Sequence, residues 1–179
     1  MSTAVLLPRS GRPPALDDEG PIWQLDQRAV PTAWVAVWDA LRAVPGVIAG
    51  PSSLDEPGAR AVLVPSVSHP VPGTSFGPDG GAALEPAHLH SPNDTSVHVV
   101  LPPERGALVI AQGWAVPCPN AVHGTELILF APRDAAELDV VVDLARESVR
   151  WALWRNGVTT YRRVAPAGFG AELGQRASA

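Results

Sequence analysis

The 20 prolines and 16 glycines cut this chain of 179 residues into short segments, so it can build only brief strands and a few helices. Prolines 8, 13, 14, 21 and 31 interrupt every hydrophobic window of the first thirty residues, which read as an irregular arm spanning 1–30. Within that arm Ile22, Trp23 and Leu25 are the residues expected to pack on the core. The first helical window is 32–44. Thr32 is a candidate N-cap, and Trp34, Val37, Trp38, Leu41 and Val44 recur at helical spacing. A second long window, 135–154, follows Asp134 as cap and carries a stripe of Leu138, Val141, Val142, Ala145, Val149 and Ala152. A short helix over 104–112 should stop at Gly113.

Between the helices lie strand candidates at 60–65, 83–90, 95–101 and 125–131, and the tail admits a short strand over 158–164. Segment 66–82 is rich in Gly, Pro and Ser and lacks periodicity, which suits a lid more than a connector. The order α-β-β-β-α-β-α predicts an α+β fold. An antiparallel sheet would carry the first and last helices on one face and leave the other for a pocket. The expected division is an arm (1–30), a single α+β domain (31–155) and a C-terminal tail (156–179).

Composition excludes several classes of function. A formal net charge of −5 without any basic run argues against a nucleic-acid partner. All 13 basic residues are Arg, so lysine Schiff-base chemistry has no donor. A single cysteine, Cys118, rules out an internal disulfide. The longest apolar stretches fall far short of the ~20 residues of a membrane span, and no secretory h-region precedes Pro8. The expectation is a cytoplasmic protein without a membrane partner. A homodimer through an exposed Trp-bearing helix is compatible with the pattern.

Three of the five histidines fall within eleven positions: His88, His90 and His98. If the hairpin is centred on Asn93, position 88 pairs with 98 and 90 with 96, and all three imidazoles share one face. Strict alternation places Glu85 on the opposite face, unless Pro86 forces a bulge that turns it inward. Asp94 stands four residues after His90, a ligand-like spacing, within a run read as a plain turn. Three roles suit the histidines. They can hold a divalent metal, act without metal as base and anion stabilisers, or form a hydrogen-bonded structural face.

The stretch 85–152 carries a Glu followed by His-x-His (Glu85, His88, His90), a second strand with His98 and a helix ending in Gly113-Trp114. A strand closing in Ala131-Pro132-Arg133 and a long last helix complete the pattern. This resembles the fungal luciferase family and its bacterial relatives. The resemblance implies a small-molecule enzyme of bacterial secondary metabolism that oxygenates, or rearranges the ring of, an enolisable polyketide- or pyrone-like substrate. In the fungal enzymes a hydroxylated hispidin meets molecular oxygen with no known flavin requirement. A cofactor-independent reaction is therefore expected, with a divalent metal on His88, His90 and His98 as the alternative. A binding module without turnover is a further alternative.

In this reading His88, His90, His98 and Glu85 are the catalytic candidates. Trp114, Cys118, Arg133 and His123 are the substrate-binding candidates, and oxygen is the second reactant. One departure from the family pattern is plain. Where the family carries His before Pro after the Gly-Trp pair, this chain has Cys118, and His123 is the nearest imidazole that could take over the role.

Overall fold

In the computed structural model the described residues are 5–17, 23–52, 54, 57–65, 68–76, 83–119 and 121–158. Residues 159–164 of the expected tail strand and part of the expected lid over 66–82 lie outside them. Helix α1 spans Pro31–Arg42, followed by β1 (Ile48–Pro51), β2 (Arg60–Pro65), β3 (Ala83–Leu89) and β4 (Val97–Val100). Helix α2 (Pro103–Ala111), β5 (Ala115–Pro117), β6 (Glu126–Leu129) and α3 (Ala135–Arg155) complete the described elements. The six strands form one antiparallel sheet in the order β1-β2-β3-β4-β6-β5. The architecture is the expected α+β arrangement, with the short strands β1 and β5 extending its two edges.

The helix ends follow from local chemistry. Helix α1 starts at Pro31 with Val30 as an unbonded cap, so Thr32 lies inside the helix instead of capping it. Proline at the first position needs no amide hydrogen and already has the helical φ, which makes a side-chain cap dispensable. Asp134 does cap α3, its Oδ1 accepting from the Glu137 amide at 2.9 Å. Helix α2 ends as expected at Gly113, whose φ of 74° takes the left-handed turn. The Gly113 and Trp114 amides then donate back to the Ile110 and Val109 carbonyls.

One face of the sheet is the hydrophobic core. Val62, Val64, Leu84, Ala87, Leu89, Val97, Val99, Leu127 and Leu129 pack there against Val37 and Leu41 of α1 and Val141, Leu144, Ala145 and Val149 of α3. Alternation sends Ala61, His88, His98, Ile128 and Val116 to the opposite face. Among the described residues no helix is long and apolar enough to cross a membrane.

The arm is seated differently from the expectation. Ile22 lies outside the described residues, while Trp23 and Leu25 are exposed and Gln24 between them is fully buried. The arm folds back on itself, with the Asp17 amide donating to Trp23 O and the Leu25 amide to Ala15 O. Alternation then turns Gln24 inward, where its Oε1 accepts from the Ala131 amide and its Nε2 donates to the Asp26 and Gln27 carbonyls. Buried backbone groups left open by the sheet need partners, and an amide side chain supplies both kinds.

Proline in the middle of β3 has a visible consequence. Pro86 cannot donate to the ladder, and the β2–β3 register shifts between Val62 and Val64. The hydroxyl of Ser148, reaching across from α3, fills the gap. It donates to Pro86 O at 2.8 Å and accepts from the Val100 amide at 3.1 Å. Ser148→Ala leaves both buried backbone groups without this partner and should cost about 2–4 kcal/mol. Urea unfolding of the two proteins, with the midpoint as readout, measures this.

Candidate functional site

The register of the hairpin puts the histidines together as the sequence predicts. His88 pairs directly with His98 across β3 and β4, and the His90 amide donates to Ser96 O, continuing the ladder. The rings of His88 and His98 are 4.5 Å apart between centroids, those of His90 and His98 4.2 Å, and those of His88 and His90 5.7 Å. His98 therefore sits between the other two. All three are buried, and each offers a ring nitrogen within 4.8 Å of the others. Burial, reinforced by the neighbouring His88 and His90, holds the His98 pKa well below the usual imidazole value, so this ring is neutral at neutral pH.

Two carboxylates stand behind the cluster. The bulge at Pro86 turns Glu85 toward the histidine face, and its Oε1 lies 2.8 Å from His88 Nδ1. The Ser52 hydroxyl donates to the same oxygen at 2.6 Å, and Ser75 Oγ accepts from the Glu85 amide at 2.8 Å. His90 Nδ1 is paired with Asp94 Oδ2. Ser96 Oγ donates to that oxygen at 2.9 Å, and the Gln24 amide donates to Asp94 Oδ1 at 2.9 Å. Each of these imidazoles thus stands beside a buried acid that is itself held by hydroxyls or backbone amides.

Asp94 is the member of the cluster that the turn reading passed over. The Ser91–Asp94 run does form a turn, with the Asp94 and Thr95 amides donating to Ser91 O. That turn returns the carboxylate to His90, so the His-x-x-x-Asp spacing was the signal available in the sequence. Ser52, Ser75 and Gln24 carried no comparable signal, because each reaches the site from a different part of the chain, whereas Ser96 was already placed opposite His90 by the hairpin register.

The described part of the lid segment crosses this face. Phe76 bridges to Glu85 through its backbone and lays its ring against His88 (4.9 Å between centroids) and His98 (5.6 Å). The segment is tethered at Asn156, whose Oδ1 accepts from the Val71 amide, and at Thr125, whose Oγ1 donates to Gly73 O. Gly73 has a φ of 76°, and a Cβ there would stand 3.1 Å from Thr125 Oγ1 and 3.3 Å from His123 Cβ, so the crossing requires glycine.

The four substrate-binding candidates are distributed around the sheet. Cys118 continues β5 opposite Glu126, its amide donating to Glu126 O, and is half-buried. Alternation from Val116 places it on the histidine face, toward the other end of the strands. His123 lies in the adjoining loop beside Gly73. Burial raises the pKa of the neighbouring Glu126 carboxyl, which accepts from the Val122 amide. Trp114 belongs to the core cluster and donates its indole N–H to Leu7 O at 2.8 Å. Arg133 is engaged with Glu137, Ser10 and Gln27. The contacts of these last two residues are with the arm and α3, because the chain packs them where the arm closes on the sheet edge.

The fold and the segment that carries the histidines are similar to known proteins. No curated protein matches the chain. The crystal structure of Deinococcus radiodurans protein DR2400, which has a DUF419 domain, shares the fold at a TM-score of 0.51 and 12% identity, over 76% of this chain and 86% of that one. Residues 83–148, from the first residue of β3 into α3 and carrying Glu85, all three clustered histidines and Asp94, match the family model described as Luciferase domain.

Proposed function

We propose that the chain is a small-molecule enzyme of the oxygenase type, with His88, His90 and His98 as its reactive centre. The observation that carries this reading is the convergence of three buried imidazoles, two of them backed by buried carboxylates, inside the segment that matches the luciferase-domain model. The substrate class is an enolisable polyketide- or pyrone-like molecule. Removing the enol proton gives an electron-rich enolate whose carbon can bond to molecular oxygen. A site for this chemistry must take a proton and hold a developing oxyanion in a dry environment. Buried imidazole suits both tasks, and Glu85 and Asp94 would bias the tautomers of the two rings beside them.

Cys118, in place of the family histidine, lies toward the far end of the same face, where a small half-buried thiol would shape that end of the site. The reading is tested by incubating the protein with a 4-hydroxy-2-pyrone under air and under nitrogen, with product mass as readout. Oxygen-dependent conversion supports an oxygenase. Conversion that proceeds equally under nitrogen points to ring rearrangement, and tight binding without conversion points to a binding module.

A further inference from the structure

We propose that His88, His90 and His98 together bind one divalent transition-metal ion, each through one ring nitrogen. The proposal rests on the reading of the histidine face as the functional centre, and it adds a ligand that the reaction class alone does not require. Its first support is spacing. An ion with imidazole nitrogens at about 2.05 Å in tetrahedral geometry separates them by about 3.3 Å. The three nitrogens already lie within 4.8 Å of one another. Closing the difference would take small adjustments of the rings about their soft χ2 torsions.

The second support is the arrangement behind the rings. A metal-bound histidine almost always gives its other ring N–H to a carboxylate, carbonyl or water, which fixes the tautomer and the ring plane. His88 Nδ1 lies 2.8 Å from Glu85 Oε1 and His90 Nδ1 is paired with Asp94, so two of the three rings already stand beside a carboxylate of this kind. The third support is His98, whose Nε2 is buried and has no hydrogen-bond partner among the described residues. A polar atom in that condition costs free energy unless something meets it. A cation between His98 and its two neighbours would meet it.

Charge agrees with the geometry. The three imidazoles bind as neutral ligands, and the two buried carboxylates behind them would balance the charge of a divalent ion. Three nitrogen donors with no thiolate select zinc, iron(II), cobalt(II), nickel or copper, and disfavour calcium and magnesium, which take oxygen ligands. Three protein ligands also leave an open position, where an enolate oxygen could bind.

The test is a titration of chelator-treated full-length protein with cobalt(II), followed by the d–d absorption of the bound ion, and with zinc, followed by elemental analysis after gel filtration. One ion per chain is expected in the wild type, and none in His88→Gln or His98→Gln. Asp94→Asn keeps all three ligands and should bind about 10–100-fold more weakly. Circular dichroism confirms that each variant is folded, and Asp94→Asn remains decisive if a histidine variant is not. Absence of stoichiometric metal in the wild type, wild-type binding by folded His98→Gln, or unchanged affinity in Asp94→Asn would overturn the proposal. No substrate enters the assay. Conversion of the pyrone by a protein that binds no metal would refute the metal site and leave the enzyme reading standing, and metal binding without conversion would do the reverse.

Discussion

His98→Gln is expected to lower turnover of an enolisable substrate at least ~100-fold while the chain remains folded. His98 lies between the two carboxylate-backed imidazoles, 4.5 and 4.2 Å from them between ring centroids, so it is the member that joins the cluster into one centre. The loss follows whether the imidazole moves a proton or holds a metal. Folding should tolerate the change for a specific reason: His98 Nε2 has no hydrogen-bond partner among the described residues, so replacing the ring orphans none of them. His90→Ala is a less clean probe, since it removes the partner of the buried Asp94 carboxylate. Initial rates with the pyrone and a thermal melt by circular dichroism separate the two effects. A folded His98→Gln protein with wild-type turnover would make the histidine face structural.

The largest stability effect is expected far from that face. Glu137→Ala should destabilise the protein by about 3–5 kcal/mol, because it leaves the buried Arg9 guanidinium without its counter-charge. Arg9 is brought in by the arm, with its amide donating to Gln112 O and its Nη2 donating to Glu137 at 3.2 Å and to Ala131 O at 3.2 Å. The Arg9 and Glu137 side chains are only 2% and 7% exposed, so water cannot replace the lost partner. Glu137 also pairs with Arg133 and accepts from the Arg133 amide at 3.0 Å. One carboxylate thus fastens the arm, the strand end after β6 and the first turn of α3. Urea unfolding of Glu137→Ala against wild type gives the value, and a loss under ~1 kcal/mol would show that the arm contributes little to the fold.

The same residue predicts a pH dependence. Burial alone would raise the Glu137 pKa, but the Arg133 hydrogen bonds and the Arg9 and Arg133 charges bring it below the ordinary carboxylate value. A group whose folded pKa lies below its unfolded one stabilises the protein above the unfolded pKa of about 4.3. That contribution is lost as pH falls through the folded pKa. Stability measured from pH 6 down into the acid range should decline, and Glu137→Gln should flatten the decline by removing this titration.

The histidine cluster was legible in the sequence because a strand has a strict period of two and the turn at Asn93 fixed the register. The observed 88–98 pair is the predicted one. Glu85 could be placed only conditionally, since the bulge at Pro86 depends on a hydroxyl from α3, 62 residues away in the chain. Thr32 was misread as a cap because Pro31 made a side-chain cap unnecessary. Strands β1 and β5 gave no periodic signal; they are four and three residues long, end in proline and depend on the neighbouring strand for their conformation. The arm was anticipated as irregular, but the polar anchors Arg9 and Gln24 were not. Hydrophobic patterning points to Trp23 and Leu25, whereas the buried partners are set by which backbone groups the sheet edge leaves open.

The central claim is that the His88, His90 and His98 face receives a small enolisable molecule. The measurement that addresses it most directly is a heteronuclear spectrum of the histidine ring nitrogens during titration with a 4-hydroxy-2-pyrone under nitrogen. The ring-nitrogen resonances of His88, His90 and His98 should shift together and saturably at one apparent affinity. A pyrone that binds while leaving all three unchanged would contradict the account.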